Sequence, residues 1–68
     1  MRYEIILTKR NFRTANSFFT FNYTNRYEQM RHWCIMLEHE GYKFVRKQVD
    51  KVRNITFIYY ERIENIWL

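Results

Sequence analysis

The sequence predicts an α+β fold: a four-stranded antiparallel sheet with one helix packed on one face, in the order ββαββ, as a single domain over residues 1–68. Three observations predict it. Four segments are rich in β-branched and aromatic residues. One segment between the second and third has helical periodicity. The only glycine, Gly41, directly follows that periodic segment, where a left-handed residue closes a helix at low cost.

The first strand covers 2–9 (Arg-Tyr-Glu-Ile-Ile-Leu-Thr-Lys) and runs into the basic stretch Arg10-Asn11-Phe12-Arg13. The second covers 17–23 (Ser-Phe-Phe-Thr-Phe-Asn-Tyr), joined to the first by a connection short enough for a hairpin. A helix is expected over 25–40. Asn25 and Glu28 have the spacing of a reciprocal capping pair, with Thr24 as the other candidate cap. Tyr27, Met30, Trp33, Cys34 and Leu37 then fall on one side at helical spacing. Glu38 and Glu40 oppose the helix dipole at its end, a small penalty that packing must override. A third strand follows over 42–49, then a turn at 50–53, then a fourth and most apolar strand over 54–63. Trp67 and Leu68 are too apolar for a loose tail and are expected to dock on the body or on a second copy of it.

A domain this short buries only about 60% of the surface its unfolded chain exposes, so its stability margin is thin. With Cys34 as the only cysteine, no intramolecular disulfide can form, and no cysteine-based zinc motif exists. Six Phe, six Tyr and two Trp supply the alternative, because each aromatic ring buries far more area than a small aliphatic side chain. The N-terminal apolar run is too short for a signal peptide, and no stretch approaches the length of a membrane span. A cytoplasmic location and no membrane partner are the corresponding expectations.

A single helix can cover only one face of a four-stranded sheet, and the functional expectation rests on that. On the fourth strand, Ile55, Phe57, Tyr59 and Ile63 form the more apolar alternate set and are expected to face the helix, which turns Thr56, Ile58, Tyr60 and Arg62 outward. On the second, Phe19, Phe21 and Tyr23 read as core and Phe18, Thr20 and Asn22 as outward. The third is ambiguous: with Tyr42 and Phe44 in the core, Lys43, Val45, Lys47 and Val49 point out. The open face would then carry Phe18, Ile58 and Tyr60 among Lys43, Lys47 and Arg62. Rings beside cations suit single-stranded nucleic acid, through base stacking and phosphate contacts. They equally suit a protein partner or a second copy of the chain.

The formal charge of +5 points the same way, toward acidic partners, although it also keeps a small protein soluble. Two basic clusters stand out. Lys43, Arg46, Lys47, Lys51 and Arg53 face a single acid, Asp50, and Lys9, Arg10 and Arg13 surround Phe12. If the two hairpin ends lie on one side, these clusters form one continuous positive surface able to hold phosphates. Lysines at strand edges also discourage aggregation, and that reading stands beside the functional one.

Little suggests catalysis. Cys34 sits among the apolar helix positions and reads as a small buried hydrophobe. His32 and His39 are two turns apart, about 10 Å by helical rise, too far to share a metal. Glu28 and His32 at i,i+4 read as a solvated pair, and two ligands do not make a site. Ser17, the only serine, lacks a nucleophile-elbow context. No enzyme activity, catalytic residue, metal or cofactor is expected. No recognition-module signature for RNA or DNA is present either. In overall character — very short, cysteine-poor and aromatic-rich — the chain resembles accessory proteins of phages and other mobile elements. That group includes stoichiometric inhibitors such as those of CRISPR effector complexes. The resemblance implies a non-catalytic protein that occupies a host protein or nucleoprotein complex. Direct nucleic-acid binding is the alternative, with Phe12, Phe18 and Tyr60 as stacking residues and the lysines and arginines on phosphates.

Overall fold

The most apolar strand of the chain, Ile55–Ile63, is one of the two central strands of the sheet. In the computed structural model, which describes residues 1–10 and 17–63 and the side chains of 1–9 and 22–63, five elements follow one another. They are β1 (Arg2–Arg10), β2 (Ser17–Thr24), α1 (Tyr27–His39), β3 (Lys43–Asp50) and β4 (Ile55–Ile63). The fold is α+β in the order ββαββ, and the strands lie in the order β2-β1-β4-β3. The hairpins β1–β2 and β3–β4 are antiparallel, whereas β1 and β4 pair in parallel, from Arg2 opposite Ile55 to Arg10 opposite Ile63. The sheet is therefore mixed rather than wholly antiparallel. The helical crossover between the hairpins is long enough to bring β4 back alongside β1 in the same direction. The more polar strand β3, with Lys43, Arg46, Lys47, Gln48 and Asp50, is left at an edge.

The start of the helix departs from the sequence expectation. Arg26 is the cap residue, and Asn25 and Glu28 do not form the reciprocal pair. Thr24 acts from two residues upstream of that cap: its hydroxyl accepts from the Arg26 amide at 3.1 Å and donates to Gln29 Oε1 at 2.7 Å. The helix end matches expectation. The Gly41 amide donates to the Glu38 carbonyl and the Tyr42 amide to the Leu37 carbonyl, with Gly41 at φ 93°. This is the Schellman arrangement, and the hydrophobic pair that accompanies it, Tyr42 with Leu37, is buried.

The core lies between α1 and one sheet face. Met30 and Leu37 of the helix meet Ile5, Leu7, Ile58 and Tyr60, with Tyr3, Trp33 and Cys34 packed at the margin. Burial raises the proton affinity of the Cys34 thiol. It does the same, more strongly, for the Tyr60 phenol, whose hydroxyl also makes a long 3.5 Å contact to Glu38. The buried hydroxyl of Thr56, in the same layer, donates to the Met1 sulfur at 2.9 Å. The β3–β4 turn is held by Asp50: one carboxylate oxygen accepts the Val52 and Arg53 amides, and the other pairs with Arg53 Nε at 2.8 Å. Asn54 then adopts φ 58°, a left-handed conformation that asparagine tolerates.

These contacts reverse the expected faces of β4. Ile58 and Tyr60, expected outside, are 5% and 4% exposed beneath the helix, and Thr56 lies with them. Ile55, Phe57 and Tyr59, expected inside, lie on the opposite face. The cause is pairing with β1. Parallel register places Ile58 beside Ile5 and Tyr60 beside Leu7, and the face of β1 that carries Ile5 and Leu7 is the one the helix covers.

Two bulges complete the geometry. One shifts the β1–β2 register between Ile5 and Ile6; the other shifts β3–β4 between Phe44 and Arg46. An extra residue in one strand exchanges inward and outward positions beyond it. Tyr42 and Phe44 accordingly lie on the helix side as expected, but beyond Val45 it is Lys47 and Val49 that turn to that side and Arg46 and Gln48 that leave it. On β2, Tyr23 pairs with Glu4 and is 58% exposed, so it is not core. Phe18, Phe19 and Phe21 have no described side chains, and Trp67 and Leu68 lie outside the described residues.

Candidate binding surface

Strand alternation puts a second set of apolar side chains on the face away from α1. Along the two central strands these are Ile6 on β1 and Ile55, Phe57 and Tyr59 on β4. All four are half-buried by their neighbours in the sheet, and no described helix or strand packs over them. The smallest extent of the Cα trace, 15 Å, is that of one sheet and one helix layer, since packed layers are about 10 Å apart.

Arginines flank this stripe on both sides. The Arg46 guanidinium lies 4.2 Å from the centre of the Tyr59 ring, and Arg2 lies 3.9 Å from that of Tyr23. Exposed stacks of this kind contribute about 0.5–1 kcal/mol each, and they also hold the rings in fixed orientations. Glu4 and Glu61 stand on the same face, Glu61 opposite Lys43. A shallow concavity of about 580 Å³ opens beside Phe57 and Tyr59, bounded by Gln48, Asp50, Lys51 and Arg53. Its carboxylate is held below the usual range, because Asp50 accepts hydrogen bonds from the Arg53 backbone and side chain.

The structure divides the residues singled out from the sequence. Lys43 and Arg46 lie on the open face, with Lys51 and Arg53 in the adjoining turn. Lys47 lies on the helix side instead, beside Met30 and Cys34. Tyr60 is core and cannot stack a ligand on an outer face. Arg62 is also on the helix side, 4.9 Å from the Tyr42 ring centre and beside Gly41. Lys9 is exposed at the end of β1. Arg10 is placed by its backbone at the same end, and Phe18 by its backbone opposite Thr8. Phe12 and Arg13 lie outside the described residues.

The two basic clusters do not share an end of the sheet. Because β1 and β4 are parallel, the β1 terminus at Lys9 and Arg10 lies beside Ile63, while the β3–β4 turn lies beside Arg2. Eight residue steps of strand separate them, about 26 Å. The described cations are spread over both ends and both faces, so no single positive surface unites the two clusters. What sequence reasoning missed was the triplet Ile55, Phe57 and Tyr59, assigned to the core for being apolar. Strict alternation against Ile58 and Tyr60 was the available signal, but it does not say which set is covered.

Fold and surface together define a small α+β protein whose mixed sheet is roofed on one side by a single helix and bears an arginine-flanked aromatic stripe on the other. Compared with known proteins, the chain matches no family model, no curated protein and no solved structure. Among the described residues there is no group of three or more potential metal ligands, and no helix is long and apolar enough to cross a membrane.

Proposed function

We propose that this is a non-catalytic binding protein that occupies a partner protein or nucleoprotein complex through its open sheet face. The accessory and inhibitor proteins of mobile elements, which the chain resembles in character, would work in this way. The observation that carries the reading is the stripe Ile6, Ile55, Phe57 and Tyr59, over which no described element packs and which Arg2 and Arg46 border. Aromatic residues and arginine are the types enriched at the centres of protein interfaces. Mixed charge at the border, with Glu4 and Glu61 among the cations, favours a protein surface over a bare phosphate backbone.

The test is affinity capture from candidate host extracts with the native protein and with the double variant Phe57→Ala/Tyr59→Ala. A stoichiometric partner retained by the first and lost by the second supports the reading. Recovery of the same partner by both shows that the open face is not the contact.

The concavity beside Phe57 and Tyr59 favours a second reading, direct binding of single-stranded nucleic acid. It brings two rings, the carboxamide of Gln48 and the cations Lys51 and Arg53 to one place. Mobility shifts at two salt concentrations separate the readings. Phosphate contacts make affinity fall steeply with salt, and an affinity indifferent to salt excludes them.

A further inference from the structure

The helix does not cover the whole of its own sheet face. Four strands spaced about 4.8 Å apart make a face roughly 19 Å wide, and a helix with its side chains is about 10–12 Å across. The uncovered part is a groove between α1 and β3, about 590 Å³ in volume. Its floor is apolar, with Met30, Ile58 and Tyr60 at the bottom and Met1 at one end. Its two walls are distinctive. On the helix, Tyr27, Arg31 and Cys34 line the groove. On the strand, the lining side chains are Phe44, Lys47 and Val49. Three of these wall residues are large hydrophobics left exposed: Tyr27 at 54%, Phe44 at 55% and Val49 at 45%.

We propose that this groove seats an amphipathic helix of a partner protein, laid alongside α1, with acidic side chains on its two shoulders meeting Arg31 and Lys47. Charge carries the choice of occupant. One cation stands on each wall, neither is in an ion pair among the described residues, and no carboxylate lines the groove. Shape carries the rest. The helix wall runs from Tyr27 to Cys34, seven residue steps or about 10 Å of helix, so the occupant is elongated and runs along α1. An added strand is disfavoured, because the outer edge of β3 is blunted by the irregularity at Val45 and by Lys43 and Lys47. A helix needs no free edge; it brings an apolar stripe at i, i+3, i+4 and i+7 into a groove. This surface is separate from the open face.

The experiment is a titration of the isotope-labelled full chain, followed by amide chemical shifts, with two synthetic helical peptides. Both carry the same leucine stripe; one has glutamate and the other lysine on the shoulders. The glutamate peptide is expected to bind saturably and at least tenfold more tightly. Its shifts should be confined to the groove walls at Tyr27, Arg31, Cys34, Phe44, Lys47 and Val49. The double variant Arg31→Glu/Lys47→Glu, folded by its own spectrum, should reverse the preference. Phe57→Ala/Tyr59→Ala should bind the glutamate peptide as the native chain does, which keeps this test independent of the open face. Absence of saturable binding, equal affinity for the two peptides, or shifts centred on Phe57 and Tyr59 would each overturn the proposal. So would a stable dimer in light scattering whose interface maps to the groove, because a second copy would then be the occupant.

Discussion

The two faces of this sheet are built from nearly equal materials and end in opposite states. Beneath α1, β4 contributes Thr56, Ile58 and Tyr60; on the other side it contributes Ile55, Phe57 and Tyr59. Each set holds one isoleucine and at least one ring, yet the first is buried and the second half-covered. The difference lies in what each set stands beside. Ile58 and Tyr60 adjoin Ile5 and Leu7, while Phe57 and Tyr59 adjoin Glu4 and Ile6. A glutamate on a central strand cannot be roofed by an apolar helix without a partner for its charge, and no described helix lies over that face.

The sharpest way to break this contrast is to shorten a side chain on the covered face. Ile58→Ala should cost about 2–5 kcal/mol, the range for large-to-small changes in a packed core, read as a lower midpoint in urea denaturation. Phe57→Ala, though it removes a larger side chain, should cost only about 1–2 kcal/mol, because the ring is half-buried. If the second proves as costly as the first, the open face is in fact covered in solution.

Gly41→Ala tests the junction that brings the chain back from α1 into the sheet. A new Cβ meets nothing nearer than the Arg62 Cδ at 3.7 Å, an ordinary contact. The cost therefore reports backbone conformation alone, about 1–2 kcal/mol for a left-handed residue with a side chain. Thermal or urea unfolding measures it.

Titration probes the covered face in another way. The folded state raises the Tyr60 proton affinity, by burial first and then through Cys34 and Glu38. The unfolded chain thus ionises this phenol at lower pH than the folded one. The stability contribution is whole below about pH 10 and declines as pH rises from there toward the folded value. Urea midpoints between pH 8 and 11 should fall for the native protein and less steeply for Tyr60→Phe.

The smallest effect belongs to the β3–β4 turn. Its carboxylate is stabilised in the folded state, so the contribution of Asp50 is present above the ordinary carboxylate range near 3.8 and is lost as pH falls below it. Asp50→Asn should lower the midpoint slightly at pH 7 and converge with the native protein at low pH.

Much of the architecture is legible in the residues alone. Helical spacing of Tyr27, Met30, Trp33, Cys34 and Leu37 identifies the packed side of α1, apart from Tyr27 in its first turn, which is left 54% exposed, and Gly41 identifies its end. Candidate binding residues are less legible, because charge and aromaticity state a residue's chemistry but not its side of the sheet. Arg46 and Lys47 illustrate this. They are adjacent and alike in charge, yet one stacks on Tyr59 over the open face and the other enters the groove beside Met30.

What the sequence by itself determined is the number, kind and order of the elements, since local propensity, helical period and a single glycine act within a few residues of one another. Only the tertiary structure decided which side of each strand is covered. That choice depends on parallel pairing between β1 and β4, roughly fifty residues apart in the chain, and on two bulges that invert the alternation partway along β2 and β3. A period of two defines two faces and is symmetric between them; contacts with distant neighbours are what break the symmetry.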